Sequence, residues 1–339
     1  MKFVNVLAAI GAIVFAGSVN AAALPYSSVI VFGDSLTDSG NARLGSILAG
    51  NPNPPANPLA GYFDGRFSNG YNFADYLSLA ATGAPATPFL AGGHNFSVGG
   101  ADAAGAPGAA SPDFATQLGF FASTGQPIAS DALVVVTFGG NDIRDVIFNT
   151  GPVDFTPTFA ALQNGLAALT AAGARNILVT GLPDIGALPV TFTAAALAGN
   201  PDIIDVAHDR SLLLNTKFDF IATKARHTSG ADIRFFDLLG FENDLLANPA
   251  AYGLPPALNA ITPCQAGGPA AVLGGCEGYL YFDPIHPTTQ VHLALATAIG
   301  SQLLAGVVPE PTNWAMMILG FGLVGCLASP RRRAQLGFA

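Results

Sequence analysis

Charge is scarce in this chain of 339 residues: only 10% are Asp, Glu, Lys or Arg, against about 25% in an ordinary soluble domain. The 13 Lys and Arg are outnumbered by 22 Asp and Glu, for a formal net charge of −9. So little charge excludes a coiled coil and a charge-rich disordered protein, and so few basic residues exclude a nucleic-acid binder. Cysteine is rare too, with 3 in all against 5 His, and no Cys or His spacing suggests a metal or cofactor site. The 40 Gly and 25 Pro stay below the roughly 25–30% share that marks low-complexity disorder. What is abundant is apolar side chain, at 50% of the chain. That is enough for a large core interrupted by many turns.

The ends read differently from the body. Lys2 precedes an apolar run from Phe3 to Val19, and Asn20-Ala21-Ala22-Ala23 supplies small residues for cleavage. This order is that of a secretory signal peptide over residues 1–23, cut between Ala21 and Leu24; the alternative is a buried N-terminal helix. At the other end Val308-Pro309-Glu310-Pro311 leads into an apolar run from Trp314 to Ala328, followed by Arg331-Arg332-Arg333. A helix over 314–328 reaches roughly 22 Å, short of a hydrocarbon core of roughly 30 Å unless the bilayer thins around it. The arginines would stay on the cytoplasmic side, leaving the body outside. This tail, residues 308–339, resembles the PEP-CTERM sorting signal of Gram-negative bacteria. That resemblance implies an exosortase-type processing partner, membrane contact through the tail before processing, and a cell-surface or extracellular location afterwards. An ordinary C-terminal anchor is the alternative. Gly320-Phe321-Gly322-Leu323-Val324-Gly325 fits a dinucleotide fingerprint, but no crossover helix and second strand can follow it before the chain ends, so it carries no cofactor.

Between these ends lies a body from Leu24 to Val307, more acidic still, since Lys2 and the three terminal arginines fall outside it and only Glu310 leaves with them. Such a surface repels nucleic acid and anionic bilayers. Cys264 and Cys276 fall in a Gly/Pro-rich stretch of this body. In an oxidising compartment they are expected to pair, with two free thiols as the alternative.

Apolar runs bounded by turn residues recur along the body at Val29–Phe32, Leu133–Phe138, Ile177–Thr180 and Ile233–Phe236, with a shorter one at Asn95–Val98. Continuous runs of this length suit strands buried on both faces of a parallel sheet. Helical periodicity occupies Thr158–Ala172, Pro201–Lys224 and Pro287–Leu304. The alternation predicts one α/β layered domain over 24–307. Asn51–Pro58 reads as an irregular loop.

In such a sheet ligands bind outside the carboxyl ends of the strands. The residues that follow the first strand are Gly33-Asp34-Ser35-Leu36-Thr37-Asp38-Ser39-Gly40-Asn41; those after the second are Gly139-Gly140-Asn141-Asp142. Ahead of the last helix comes Asp283-Pro284-Ile285-His286. A serine hydroxyl needs a neighbouring base to become a nucleophile, and an imidazole can take that proton near neutral pH. Asp283, three positions before His286, can reach back to Nδ1 and fix its tautomer. A sharp turn at Gly33 would set Ser35 at a helix N-terminus, its own N–H aimed at a developing oxyanion. The Asn141 amide and a glycine N–H from Gly99-Gly100 can add further donors. Asp34 and Asp142 read as capping or loop-bracing residues; His94, His208, His227 and His292 read as surface or packing residues. Asp38, Asn41 and Arg66 read as scaffold.

These blocks resemble the GDSL, or SGNH, hydrolase family. The match runs through Gly33–Asn41, Asn95-Phe96-Ser97-Val98-Gly99-Gly100-Ala101, Gly139–Asp142 and Asp283–His286, and spans Val29 to about Leu304. Gly65-Arg66-Phe67-Ser68-Asn69-Gly70 and Leu182-Pro183-Asp184-Ile185-Gly186 resemble its secreted, lecithinase-like and plant-type branch. The resemblance implies a flavodoxin-like three-layer α/β/α sandwich with a mostly parallel sheet, and metal-free, cofactor-free hydrolysis of esters. By it, Ser35 is the nucleophile, Ser35, Gly100 and Asn141 form the oxyanion hole, and His286 is the base with Asp283 behind it. One departure stands out: Ser97-Val98 occupies positions where relatives often carry Ala and a small residue.

The expected activity is therefore that of an exported serine ester hydrolase on lipid or other acyl esters. The sorting tail suggests a second substrate, acetyl groups on exopolysaccharide. A non-catalytic matrix or adhesion protein on the same fold is the rival of another class.

Overall fold

The computed structural model describes residues 23–106 and 109–305. The expected leader (up to residue 22) and the whole of the expected tail, including 314–328, lie outside the described residues. Among the described residues no helix is long and apolar enough to cross a membrane.

Four strands, β1 (Val29–Gly33), β2 (Leu133–Thr137), β3 (Asn176–Thr180) and β4 (Asp232–Phe236), form one sheet in that order, every pair parallel and in register from end to end. The first two are buried at every position, which is why their sequences are unbroken apolar runs rather than alternating ones. The short segment at Asn95–Val98 lies along the free edge of β1: Val31 N donates to His94 O (3.0 Å), Phe96 N to Val31 O (2.7 Å) and Val98 N to Gly33 O (3.1 Å). It pairs in parallel at Val31 and Asn95. Because this second extended segment sits outside β1 while later strands stack on the other side, the strand order reverses at β1. That reversal is where open α/β sheets bind ligands.

Among the described residues ten helices surround the sheet: α1 (Asn41–Leu48), α2 (Phe73–Thr82), α3 (Phe114–Ser123), α4 (Gly140–Arg144), α5 (Thr156–Ala171), α6 (Pro189–Ala198), α7 (Asp202–Ser229), α8 (Leu238–Ala247), α9 (Gly268–Leu273) and α10 (Thr289–Ala305). Their contacts separate two groups. α3 packs on α5, and α5 on α7; α2 packs on α10. This is the α/β fold expected, with helices over both faces of a parallel sheet. Phe32 of β1 seeds the α3 side, with its ring centroid 5.4 Å from Phe96, 5.9 Å from Phe114 and 6.0 Å from Phe121. Each fully buried ring or branched aliphatic in this layer is worth about 1.5–3 kcal/mol in transfer free energy.

Cys264 and Cys276 form a disulfide with their Cα atoms 5.5 Å apart. The bridge is fully buried beside Phe282 and closes a segment whose backbone pairs with the strand-like run leading to Asp283, through Cys264 N to Tyr281 O and Gln265 N to Phe282 O, both 2.9 Å.

Candidate active site

The carboxyl end of β1 turns in a space that admits no side chain. A Cβ on Gly33 would meet Thr37 Oγ1 at 2.5 Å and the Thr137 carbonyl at 2.7 Å. Gln117 of α3 clamps the same residue: its Oε1 accepts from Gly33 N (2.9 Å) and its Nε2 donates to Gly33 O (2.8 Å). The chain then makes a single turn closed by Thr37 N and Asp38 N, which donate to Asp34 O at 3.2 and 3.0 Å. Ser35 rides on this turn.

Ser35 is therefore not at the N-terminus of a regular helix, which corrects the expectation from sequence. Helix α1 starts only at Asn41. Side-chain carboxylates divert the backbone before a helix can propagate. Asp34 Oδ1 accepts from Leu36 N at 2.9 Å, and Asp38 collects the N–H groups of Gly40, Asn41, Ala42 and Gly99 at 2.6–3.0 Å. Local acceptors of this kind compete with the helical ladder.

Across the cleft, Asp283–His286 is a tight turn closed by Phe282 N donating to His286 O at 2.8 Å. Asp283 Oδ1 accepts the backbone N–H of Ile285 and of His286, each at 2.8 Å. Its Oδ2 lies 2.7 Å from His286 Nδ1, and His286 Nε2 lies 2.7 Å from Ser35 Oγ. All three side chains are buried. Burial alone would raise the Asp283 carboxyl. The adjacent imidazole and the two backbone donors outweigh it and hold the group below its ordinary value. An ionised carboxylate can only accept, so Nδ1 carries the imidazole proton and Nε2 offers its lone pair to the Ser35 hydroxyl. The structure thus brings together the hydroxyl, imidazole and carboxylate singled out in the sequence, from positions 251 residues apart.

The expected oxyanion donors lie along the same edge. Gly100 sits at φ +82°, just past the segment paired with β1. Among the described residues neither its N–H nor that of Ser35 donates to a protein acceptor. Asn141, in the first turn of α4, gives one amide N–H to Ala101 O at 2.9 Å, while its Oδ1 accepts from Arg144 at 2.7 Å. Its amide is thereby oriented beside the glycine loop with a second N–H left to give. The Gly99 N–H bond to Asp38 ties that loop to the Ser35 turn.

The residues read as bracing do brace. Asp142 accepts from Ala103 N (3.0 Å) and Thr158 Oγ1 (2.7 Å), pinning the glycine loop to α5. Asn41 donates to Asn95 O and Ser97 O at 2.7 and 2.9 Å. Asp34 is fully buried beside the site, and desolvation pushes its carboxyl up to about 6. His208 pairs with Asp184 at 2.7 Å on the surface of α7. His292 is buried on α10 against Phe73 (centroids 6.2 Å apart), and burial drives its imidazole down to about 3.

Sequence reasoning read Arg66 as scaffold and gave the rest of the segment from Tyr62 to Gly70 no role. It wraps the loop that carries Asp283 and His286. Arg66 anchors it through a two-pronged bond to buried Asp75, Nε to Oδ2 at 3.1 Å and Nη2 to Oδ1 at 3.0 Å. Ser68 Oγ then donates to Pro287 O (2.8 Å), Asn69 Oδ1 accepts from Thr289 N (2.9 Å), and the Phe67 ring lies 5.1 Å from the His286 ring. Tyr62 donates its hydroxyl to Asp283 Oδ2 at 2.8 Å. The signal available beforehand was the resemblance of Gly65–Gly70 to a family block, which marks a position and not a contact.

A buried Ser–His–Asp relay at the carboxyl edge of a parallel sheet, beside the unpaired backbone N–H groups of Ser35 and Gly100, defines a serine ester hydrolase. The family of GDSL-like lipases and acylhydrolases matches residues 29–299, and the chain belongs to it. Among its relatives, the GDSL esterase/lipase At4g16230 of Arabidopsis thaliana is 25% identical over 335 residues, covering 82% of this chain and 88% of that protein. The GDSL esterase/lipase LTL1 of the same plant is 26% identical over 342 residues, covering 85% and 90%. The thermolabile hemolysin of Vibrio parahaemolyticus is 26% identical over 289 residues, covering 80% of this chain but 62% of that protein.

Proposed function

We propose that this chain is an exported ester hydrolase that works through an acyl-enzyme on Ser35. The observation that carries the reading is the continuous relay from Ser35 Oγ through His286 to Asp283, with both links at 2.7 Å. In the first half-reaction the Ser35 oxygen bonds to the ester carbonyl carbon while its proton moves to His286 Nε2. The carbonyl oxygen, now negative, is received by the N–H groups of Ser35 and Gly100 and the free amide N–H of Asn141. Collapse breaks the bond to the alcohol oxygen, which takes the proton from His286. Water then adds to the acyl carbon, giving a proton to His286, and the acid leaves as the proton returns to Ser35. Asp283 stays ionised throughout, orienting the imidazole and stabilising its charged form.

Acyl esters, lipids among them, are the substrates this reading favours, supported by relatives named as esterases and lipases. The Pro309-Glu310-Pro311 tail favours a second reading, removal of acetyl groups from an exopolysaccharide. For export we propose residues 1–23 as the leader, 24–307 as the hydrolase domain and 308–339 as a PEP-CTERM-type tail. The segment 314–328 would hold the chain in the membrane until an exosortase-type enzyme releases it to the cell surface or beyond. Leu24, buried in the core and donating its N–H to Ala80 O at 2.9 Å, fits a domain that starts there.

The test is an ester panel with fluorophosphonate labelling on the purified chain and on Ser35→Ala. Labelling and turnover in the parent, both lost in the variant, are expected. A parent that takes no label and cleaves no ester would leave a non-catalytic matrix protein. Within the panel, a steep fall from acetyl to decanoyl esters selects the deacetylase reading over the lipase one.

A further inference from the structure

Asp283 Oδ2, the oxygen that faces the imidazole, has a second partner. Tyr62 reaches it from a segment 221 residues away in sequence and donates its hydroxyl at 2.8 Å, almost the distance of the His286 contact. The tyrosine is firmly seated. Its ring meets Phe282, the residue before Asp283, edge-on at 5.0 Å, and Phe67, which lies against His286, at 6.3 Å. Behind it, Gln265 of the disulfide-closed segment donates to Ala60 O at 2.8 Å. Burial and the neighbouring carboxylate push the Tyr62 hydroxyl well above its ordinary range, so it remains a donor wherever the enzyme works.

Resting on the acyl-enzyme reading above, we infer that Tyr62 is a positioning residue of this hydrolase, acting through Asp283 to set how strongly the carboxylate holds the imidazole proton. The geometry separates this role from mere support. Asp283 Oδ1 is already fixed by two backbone N–H groups, at 2.8 Å each, so the carboxylate keeps its place without Tyr62. What the hydroxyl does is draw charge from Oδ2, the oxygen on which the imidazolium depends. Besides Tyr62, the ionisable groups that act on the Asp283–His286 pair are Asp34, from the turn after β1, and His292 of α10. Neither touches Oδ2. Removing the hydroxyl concentrates charge on that oxygen, strengthens the pull on the protonated imidazole, and makes the base harder to free.

The experiment is a pH profile of kcat/KM for Tyr62→Phe, which keeps the ring and its aromatic contacts. The acid limb is expected to move to higher pH by about half a unit, with the plateau kcat within about threefold of the parent. A uniform loss of kcat with an unmoved limb would mean that Tyr62 only supports the loop and would overturn the inference; so would an unchanged profile. Fluorophosphonate labelling of the parent keeps the two readings apart: a parent that does not label sinks the hydrolase, whereas a labelled parent with an unshifted variant sinks Tyr62 alone. If Tyr62→Phe fails to fold, Tyr62→Leu, which also lacks a donor, carries the same comparison.

Discussion

Replacing Asp283 by Asn would change one atom and should disable the site without disturbing its shape. The two backbone N–H groups of Ile285 and His286 point at one carboxylate oxygen, 2.8 Å from each. Only the oxygen of an amide can stay there, so the amide nitrogen must take the Oδ2 position. That nitrogen would then face His286 Nδ1, now 2.7 Å from Oδ2, and the Tyr62 oxygen at 2.8 Å. Both have lone pairs to accept its two N–H bonds. The amide itself is satisfied, at the expense of the acceptor that the Tyr62 hydroxyl had in the carboxylate, but Nδ1 must become an acceptor, which puts the imidazole proton on Nε2, directly against the Ser35 hydroxyl. The base is then blocked by its own hydrogen. The loss of the counter-charge acts in the same direction. For such a tautomer reversal the expected fall in kcat is on the order of 10⁴, about 5.5 kcal/mol of transition-state stabilisation. Turnover of a p-nitrophenyl ester at pH 7, with thermal melting as the check on folding, gives the answer. A folded variant that keeps kcat within tenfold of the parent would refute the assigned proton and with it the relay.

Other consequences are simpler to read. Asn141→Ala should lower kcat on the order of 10²–10³-fold with KM nearly unchanged if the free amide N–H receives the oxyanion; a loss below tenfold would mean that the side chain only ties down Ala101. Replacing Cys264 and Cys276 together by Ser should cost about 3 kcal/mol in denaturant unfolding, from the freedom regained by the opened loop, and an unmoved midpoint would place that loop outside the cooperative core. Burial lowers the His292 imidazole to about 3 from its ordinary 6.5, so the unfolded chain takes up this proton first. The stability it contributes is complete above pH 6.5 and is lost as pH falls toward 3. Between pH 7 and pH 5 the loss from this one group is about 2 kcal/mol, and the slope over that window should flatten by the same amount in His292→Leu; a parallel slope would show that the ring is hydrated in the folded state.

How far these features could be read from the sequence depends on how local their physics is. β1 and β2, buried at every position, and β3, buried at all but its first, were legible because they carry unbroken apolar runs, and the carboxyl ends of the first two then pointed to Ser35 and Asn141. β4 is only partly buried and carries Arg234, so it showed as a weaker run. The edge segment at Asn95–Val98 was harder to read, because its polar side chains serve the nucleophile turn instead of the core: Asn95 Nδ2 donates to Thr37 O at 2.6 Å, and Ser97 Oγ accepts from Thr37 Oγ1 at 2.8 Å. The turn itself misled for the same reason. The sharp turn at Gly33 suggested a helix start at Ser35, but Asp34 and Asp38, two carboxylates in five positions, capture the backbone so completely that no helix forms until Asn41. The relay was visible in part because Asp283 and His286 are three residues apart and can meet within one turn. Nothing local links Tyr62 to Asp283 or Gln117 to Gly33; those contacts exist only because the fold carries distant segments to one edge. The residues that hold the reacting groups in place are thus hidden from a single sequence by the same topology that makes the site.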